Sequence, residues 1–140
     1  MKTLYTTSVT AIGGRNGKVK SENGVLEVEV KSPKALGGSS DDFANPEMLF
    51  AAGYSACFGS ALSLVIGKAK IETGEVSVTA KVSIGQIDNG GYGLAAELDV
   101  NIPGVSLEEA QNLTEKAHQI CPYSNATRNN IEVKLAVTNN

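Results

Sequence analysis

The stretch Asn45-Pro-Glu-Met-Leu-Phe-Ala-Ala-Gly-Tyr-Ser-Ala-Cys57-Phe-Gly-Ser-Ala-Leu-Ser-Leu-Val-Ile-Gly-Lys68 decides the fold. Asn45 can cap a helix, Pro46 suits its first turn, and Glu47 favours the positive end of the helix dipole. A helix is therefore predicted from this cap to about Lys68. Its Ala, Gly and Ser content is high all round, and small residues let a sheet or a second helix approach closely. That places it at the centre of the fold. Gly53, Ser55, Gly59, Ser60 and Ser63 interrupt its apolar run, so it reads as a buried helix and a poor membrane span.

Outward from this helix the chain reads as β-structure with one more helix. Tyr5 to Ile12 is rich in Thr and Val. Gly13-Gly-Arg15-Asn-Gly17 and Glu22-Asn-Gly24 carry tight-turn signals, with strands at Lys18 to Ser21 and Val25 to Val30. Lys31 to Phe43 reads as a loop, punctuated by Pro33, Gly37 and Gly38. After the helix, Val76, Val78, Ala80, Val82 and Ile84 alternate with mostly polar residues, and Leu94, Ala96, Leu98, Val100 and Ile102 do the same beyond a glycine-rich turn. Ser106-Leu-Glu-Glu109 is a capping box. Ala110, Leu113, Ala117 and Ile120 form the apolar face of the helix it opens, which Pro122 ends by forcing Cys121 out of helical geometry. Ile131 to Val137 is a last strand. The order βββ, α, ββ, α, β predicts an α+β fold, with mostly antiparallel sheets wrapped around central helices. One helix of small residues is a thin core for so much sheet, which favours an intertwined homodimer.

With 140 residues the chain fits a single domain, 1–140, large enough for its own core. Apolar residues make up 41% and charged residues 19%, the balance of a globular protein. The net charge of -3 comes with no basic run, so composition points to no nucleic-acid partner and no stable membrane association. The first residues lack the apolar core of a signal peptide, which makes the cytoplasm the expected location. In that compartment two cysteines are more readily catalytic, redox-sensing or metal-binding than structural.

Cys57 lies in a small-residue helix, where a free cysteine is most often an inert buried hydrophobe. Cys121 sits at a helix end, where the chain could bend. A thiol in a dry, rigid element and a second at a movable end are the parts of a dithiol catalyst. A reactive thiol also needs a cation near it, and Arg15, flanked by glycines that could fold it inward, is the candidate. Glu47 could anchor such an arginine through two parallel hydrogen bonds. Glu47 and Cys57 are ten positions apart, however, or roughly 15 Å on a straight helix. One shared site would need a helix break, with Gly53 the weak point, or a residue from a second subunit, or the reach of Arg15. A zinc site of Cys57, Cys121 and His118 lacks a clear fourth ligand, and His118 reads better as a solvent-facing residue of a last helical turn. Phe43, Phe50, Tyr54, Phe58 and Tyr123 read as core, or as an apolar pocket for an alkyl or aryl substrate.

Three segments carry a resemblance: Gly-Gly-Arg15-Asn-Gly, Asn45-Pro-Glu47-Met-Leu-Phe-Ala-Ala-Gly-Tyr-Ser-Ala-Cys57-Phe, and His118-Gln-Ile-Cys121-Pro-Tyr-Ser-Asn-Ala-Thr-Arg. In these the chain resembles the organic hydroperoxide resistance proteins, the Ohr branch of the OsmC/Ohr family, over essentially its whole length. Tyr123 after Cys121-Pro122 is more similar to the Ohr branch than to the OsmC branch. The resemblance implies a swapped homodimer with two interfacial sites, and a thiol peroxidase with no haem, flavin or metal. It implies that Cys57 is the peroxidatic cysteine, that Cys121 resolves it as a disulfide, and that Arg15 and Glu47 activate the thiolate. The implied substrates are organic hydroperoxides, including those of fatty acids, and the implied reductant is a dithiol, the lipoyl group of a lipoylated protein. Three rivals stand beside it: an OsmC-type peroxidase of broader specificity, a redox sensor or hydrophobic-ligand-binding protein without turnover, and a structural domain with inert thiols.

Overall fold

The computed structural model describes all residues, 1–140. The chain divides into two units, Met1–Leu49 and Phe50–Asn140. Helix α1, Pro46–Ala69, is unbroken from end to end and runs through their boundary. Asn45 caps it as expected, its side-chain oxygen accepting the Met48 amide at 2.8 Å. The break considered at Gly53 does not occur, because helix geometry tolerates a single glycine at modest cost.

The N-terminal unit is one antiparallel sheet, β1 (Val9–Ile12), β2 (Gly17–Ser21) and β3 (Glu27–Val30), in that order. Both predicted hairpins form. The first is a single tight turn over Gly14–Asn16, entered through Gly13 and Gly14 at φ of 80° and 56°, values that side chains resist. Two strands are shorter than predicted. β1 starts at Val9 rather than Tyr5, because its partner β2 ends at Ser21, directly opposite Val9. β3 starts at Glu27 because Leu26 is still turning, its amide donated to the Ser21 hydroxyl at 3.0 Å. Lys31 to Phe43 is irregular apart from one turn at Lys34–Leu36. Val30 is the one fully buried apolar side chain of this unit.

The C-terminal unit holds the main core. β4 (Ser77–Gln86) and β5 (Tyr92–Asn101) form a long antiparallel hairpin, and β6 (Val133–Thr138) adds to β5 in parallel. The parallel pair follows from the connection: between β5 and β6 the chain passes through α2 (Leu107–Ile120) and α3 (Pro122–Thr127), a crossover that brings it back in the same direction. Tyr54, Phe58 and Leu62 of α1 are fully buried together with Leu98 and Val100 of β5 and Ala110, Leu113 and Ala117 of α2.

Two expectations about α2 need correction. Ile120 is 44% exposed, since the apolar row Ala110, Leu113, Ala117 continues four residues on to Cys121 instead. Pro122 does end α2, but it also starts α3, occupying the first helical turn where a proline costs nothing. The capping box is present through Ser106, whose hydroxyl accepts the Glu109 amide at 3.2 Å. Helix α1, read above as a poor span, is long and apolar enough by length and composition to cross a membrane. One of its faces nevertheless supplies core side chains to this unit.

Candidate active site

Cys57 and Cys121 meet. Their sulfurs lie 3.8 Å apart, with the Cys121 thiol pointing at Cys57. Both are free thiols. α1 carries Cys57 between Tyr54 and Phe58, and the α2–α3 junction carries Cys121. Cys121 is fully buried and Cys57 half-buried, so a reagent from solvent reaches Cys57 first. Burial pushes the Cys57 thiol above its ordinary range, and the neighbouring Cys121 thiol adds to this. The Tyr123 backbone amide, in the first turn of α3, works the other way.

The sequence suggested a bendable end that leaves Cys121 room to move. Instead, Cys121 is gripped between two helices, and α3 is tied down by a buried polar network. The Tyr54 hydroxyl lies 3.1 Å from the Ser124 hydroxyl and 3.2 Å from that of Thr127. Ser124 also bonds His118 Nδ1 at 2.9 Å. Arg128 closes α3 by donating to the Asn125 side chain at 2.6 Å and to the His118 carbonyl at 2.7 Å. His118 is therefore not the solvent-facing residue expected. It is half-buried beside the Phe58 ring, and burial, then Arg128, hold its pKa below the usual value. No group of three His, Cys, Asp or Glu side chains comes together as a metal site would require. Ser124, Thr127 and the positioning part of His118 escaped the sequence reading. The available signal was Pro122, which marks a helix start as readily as a stop.

Of the aromatic residues, Phe50, Tyr54, Phe58 and Tyr123 belong to this unit. Phe50, Tyr54 and Tyr123 form a cluster with ring centroids 5.6 to 6.0 Å apart. Tyr54 and Phe58 are fully buried and serve as core, whereas Tyr123, 37% exposed, is the outer member. Phe43 stands in the N-terminal unit, beneath the Lys31 ammonium at 3.5 Å from its ring centre.

The N-terminal unit contains the other predicted pair. Arg15 and Glu47 make the fork expected of them, two parallel hydrogen bonds of 2.9 and 2.6 Å. The guanidinium holds the Glu47 carboxyl below its ordinary value and is itself raised by it. The Arg15 side chain remains 37% exposed, so the turn presents a fixed cation that is still open to solvent.

A half-buried thiol backed by a buried one, on an α+β scaffold, is an arrangement that can pass between dithiol and disulfide. A family profile described as OsmC-like protein matches residues 38–136. The organic hydroperoxide resistance protein of Xanthomonas axonopodis pv. citri (strain 306) is 49% identical over 137 residues, 97% of this chain and 96% of its own. A crystal structure of an organic hydroperoxide resistance protein from Elizabethkingia anophelis, with thiocyanate bound, superposes with a TM-score of 0.97 at 75% identity, over all of both chains. One from Vibrio cholerae O1 biovar eltor str. N16961, with captopril bound in one of the active sites, gives a TM-score of 0.92 at 47% identity, over 98% of this chain and 94% of that one. The chain belongs to the OsmC/Ohr family, on its organic hydroperoxide resistance branch.

Proposed function

We propose that this protein is a cysteine-based thiol peroxidase that reduces organic hydroperoxides, alkyl and fatty-acid, and serves in resistance to organic peroxide stress. The observation that carries the reading is the thiol pair at 3.8 Å, one member half-buried and the other fully buried. The names of the Xanthomonas and Elizabethkingia relatives support the choice of substrate.

The Cys57 thiolate attacks the outer peroxide oxygen. An S–O bond forms, the O–O bond breaks, and the sulfur is oxidised by two electrons to a sulfenic acid while the alkoxide takes a proton and leaves as alcohol. Cys121 then attacks the sulfenic sulfur, water departs, and a Cys57–Cys121 disulfide remains. An external dithiol, a dihydrolipoyl group of a lipoylated protein, returns both thiols by exchange and leaves as its own disulfide. The reductant is a co-substrate, and no bound cofactor takes part. Burial of Cys121 directs the incoming dithiol to the Cys57 sulfur.

Burial raises the Cys57 pKa above its ordinary value, so the thiolate needs a cation. Arg15, oriented by Glu47, is that cation, lowering the thiol pKa and stabilising charge on the peroxide oxygens. With α1 unbroken, two of the three routes to one site remain: a second subunit, or the reach of Arg15 itself. A homodimer favours the first. The exposed row Met48, Ala52, Ala56, Ser60 and Leu64 on α1 supports such a dimer, because its i, i+4 spacing suits close approach of another copy. The Vibrio relative, with more than one active site, agrees. The cytoplasm is the proposed location.

Reduced protein mixed with cumene hydroperoxide and dihydrolipoamide tests the reading. Many turnovers in the wild type, none in Cys57→Ser, and slower loss of hydrogen peroxide are expected. A single turnover would move the protein to the sensor reading. Equal rates with both peroxides would favour broad specificity.

A further inference from the structure

The buried polar network around α3 has a direction. Four hydrogen bonds join four residues: His118 Nδ1 with the Ser124 hydroxyl at 2.9 Å, Ser124 with Tyr54 at 3.1 Å, Tyr54 with Thr127 at 3.2 Å, and Thr127 with the Ser124 carbonyl at 3.2 Å. The last partner is a carbonyl, which can only accept, so Thr127 donates there. Each hydroxyl has a single proton to give. With the Thr127 proton engaged, Tyr54 must donate to Thr127. With the Tyr54 proton engaged in turn, Ser124 must donate to the phenol oxygen. No hydroxyl proton is left for the fourth bond, and His118 supplies it from Nδ1. Tyr54 and Ser124 are fully buried and Thr127 is 5% exposed, so water does not take the place of these partners.

We propose that His118 is a positioning residue: its Nδ1–H starts a one-way chain through Ser124, Tyr54 and Thr127, which fixes the neutral imidazole as the Nδ1–H tautomer and leaves Nε2 as the proton acceptor. The chain ties the last turn of α2 to α3 and to α1, around the junction that carries Cys121. Protonation at Nε2 leaves the Nδ1 donor in place, so the tie holds in both charge states of the ring. In the opposite tautomer Ser124 would donate to a ring lone pair, and acid would break that bond. The charges acting on the ring are Arg128 at the end of α3 and Glu115 on α2, and α1 faces it with Phe58 and, through Ser124, the Tyr54 phenol. The inference deepens the peroxidase reading and rests on it for the role of Cys121, but the tautomer is read without turnover.

The chain has one histidine, so two-bond proton–nitrogen correlation on the reduced, isotope-labelled protein reads this ring alone. Above the ring's titration, the unprotonated nitrogen should couple to both Hδ2 and Hε1, which identifies it as Nε2. Coupling to Hε1 alone would make Nδ1 the acceptor and overturn the proposal. Tyr54→Phe cuts the chain. The Ser124 proton then has His118 Nδ1 as its remaining partner in the network, so the ring should switch to the Nε2–H tautomer. The midpoint of its Hε1 titration should also fall by about one pH unit, because the serine now stabilises the neutral ring. Arg128 and Glu115 are unaltered and cancel in that comparison. Thr127→Val cuts the chain one link further on and should switch the ring in the same way, which covers the case that Tyr54→Phe unfolds. A ring that keeps its tautomer and midpoint in a folded variant of either kind overturns the proposal. The expected tautomers in a protein that never turns over peroxide would keep the chain and sink the peroxidase reading.

Discussion

The two units of this chain handle burial in opposite ways. The C-terminal unit fills its sheet with fully buried side chains, Leu98 and Val100 on β5 among them, and places both cysteines against that core. The N-terminal unit has a sheet of the same strand count but one buried apolar side chain, Val30. Its register sets Val9 opposite Ser21, Ala11 opposite Val19, and Val19 opposite Val28, so one face is apolar and the other carries Lys18, Lys20, Glu27 and Glu29. Val9 is 48% exposed on that apolar face. An alternating strand pattern promises a cover. The cysteine pair thus sits on the unit with the filled core, and the proposed cation sits on the unit with one buried apolar side chain.

The largest effect should come from dividing chemistry from stability across this contrast. Arg15→Ala removes the proposed cation but only a half-exposed ion pair. Peroxide turnover should fall about 10²- to 10³-fold, as when a preorganised charge-stabilising donor is lost. Tm should hardly change, because such pairs contribute roughly 0 to 1 kcal/mol. A normal rate would remove Arg15 from the mechanism.

A valine pair probes the burial contrast directly. Val100→Ala deletes buried methyl groups and should cost about 2 kcal/mol, read as a fall in Tm of several degrees. Val9→Ala would cost under roughly 0.5 kcal/mol on an open surface. If a second copy covers this face, the loss is larger and Tm climbs with protein concentration. A Tm blind to concentration would leave the face open and break the dimer reading.

The sequence was most legible where period and capping agree. The alternation of Val76 to Ile84 and Leu94 to Ile102, the Asn45 cap, and the Ser106 box each name an element through one physical rule, and each element is present. Arg15 and Glu47 were legible as a pair because fork and carboxylate match in shape, and they do meet. What escaped was whatever depends on a distant partner. The end of β1 is set by the length of β2. The helix after Cys121 could not be told from a stop, since proline signals both. The tie from Tyr54 to Ser124 and Thr127 spans seventy residues and more, with no local pattern to announce it.

That tie gives the next prediction. Tyr54→Phe keeps the ring in the core and removes only the hydroxyl. Ser124 keeps His118 as a partner, and Thr127 keeps the Ser124 carbonyl at 3.2 Å, so neither hydroxyl is orphaned. The cost should be about 1 kcal/mol. Because α3 carries the wall of Cys121, amide exchange in Ser124 to Arg128 should quicken while β5 stays protected. Uniform acceleration across the unit would mean that the network stabilises the fold and does not hold α3 in particular.

The smallest effect distinguishes the units by pH. Glu47 has its folded-state pKa lowered by the Arg15 hydrogen bonds, so the pair stabilises fully above the ordinary carboxyl value of 4.5 and loses this as pH falls through the folded value. Wild type minus Glu47→Gln should give a stability difference within roughly 1 kcal/mol that is flat from neutrality to about pH 5.5 and shrinks below about 4.5. Glu27 is also lowered, by Lys20 and Lys18, and titrates over the same acid range, but it is present in both proteins and cancels in the difference. In the Arg15→Ala background the pH dependence should vanish, since the carboxylate then has no fork to answer. A difference that grows toward acid would mean that Glu47 is protonated in the folded chain. Its partner would then be free to spend its whole charge on the thiolate, and the order of events at the cation would have to be rewritten with Glu47 as a proton donor instead of an anchor.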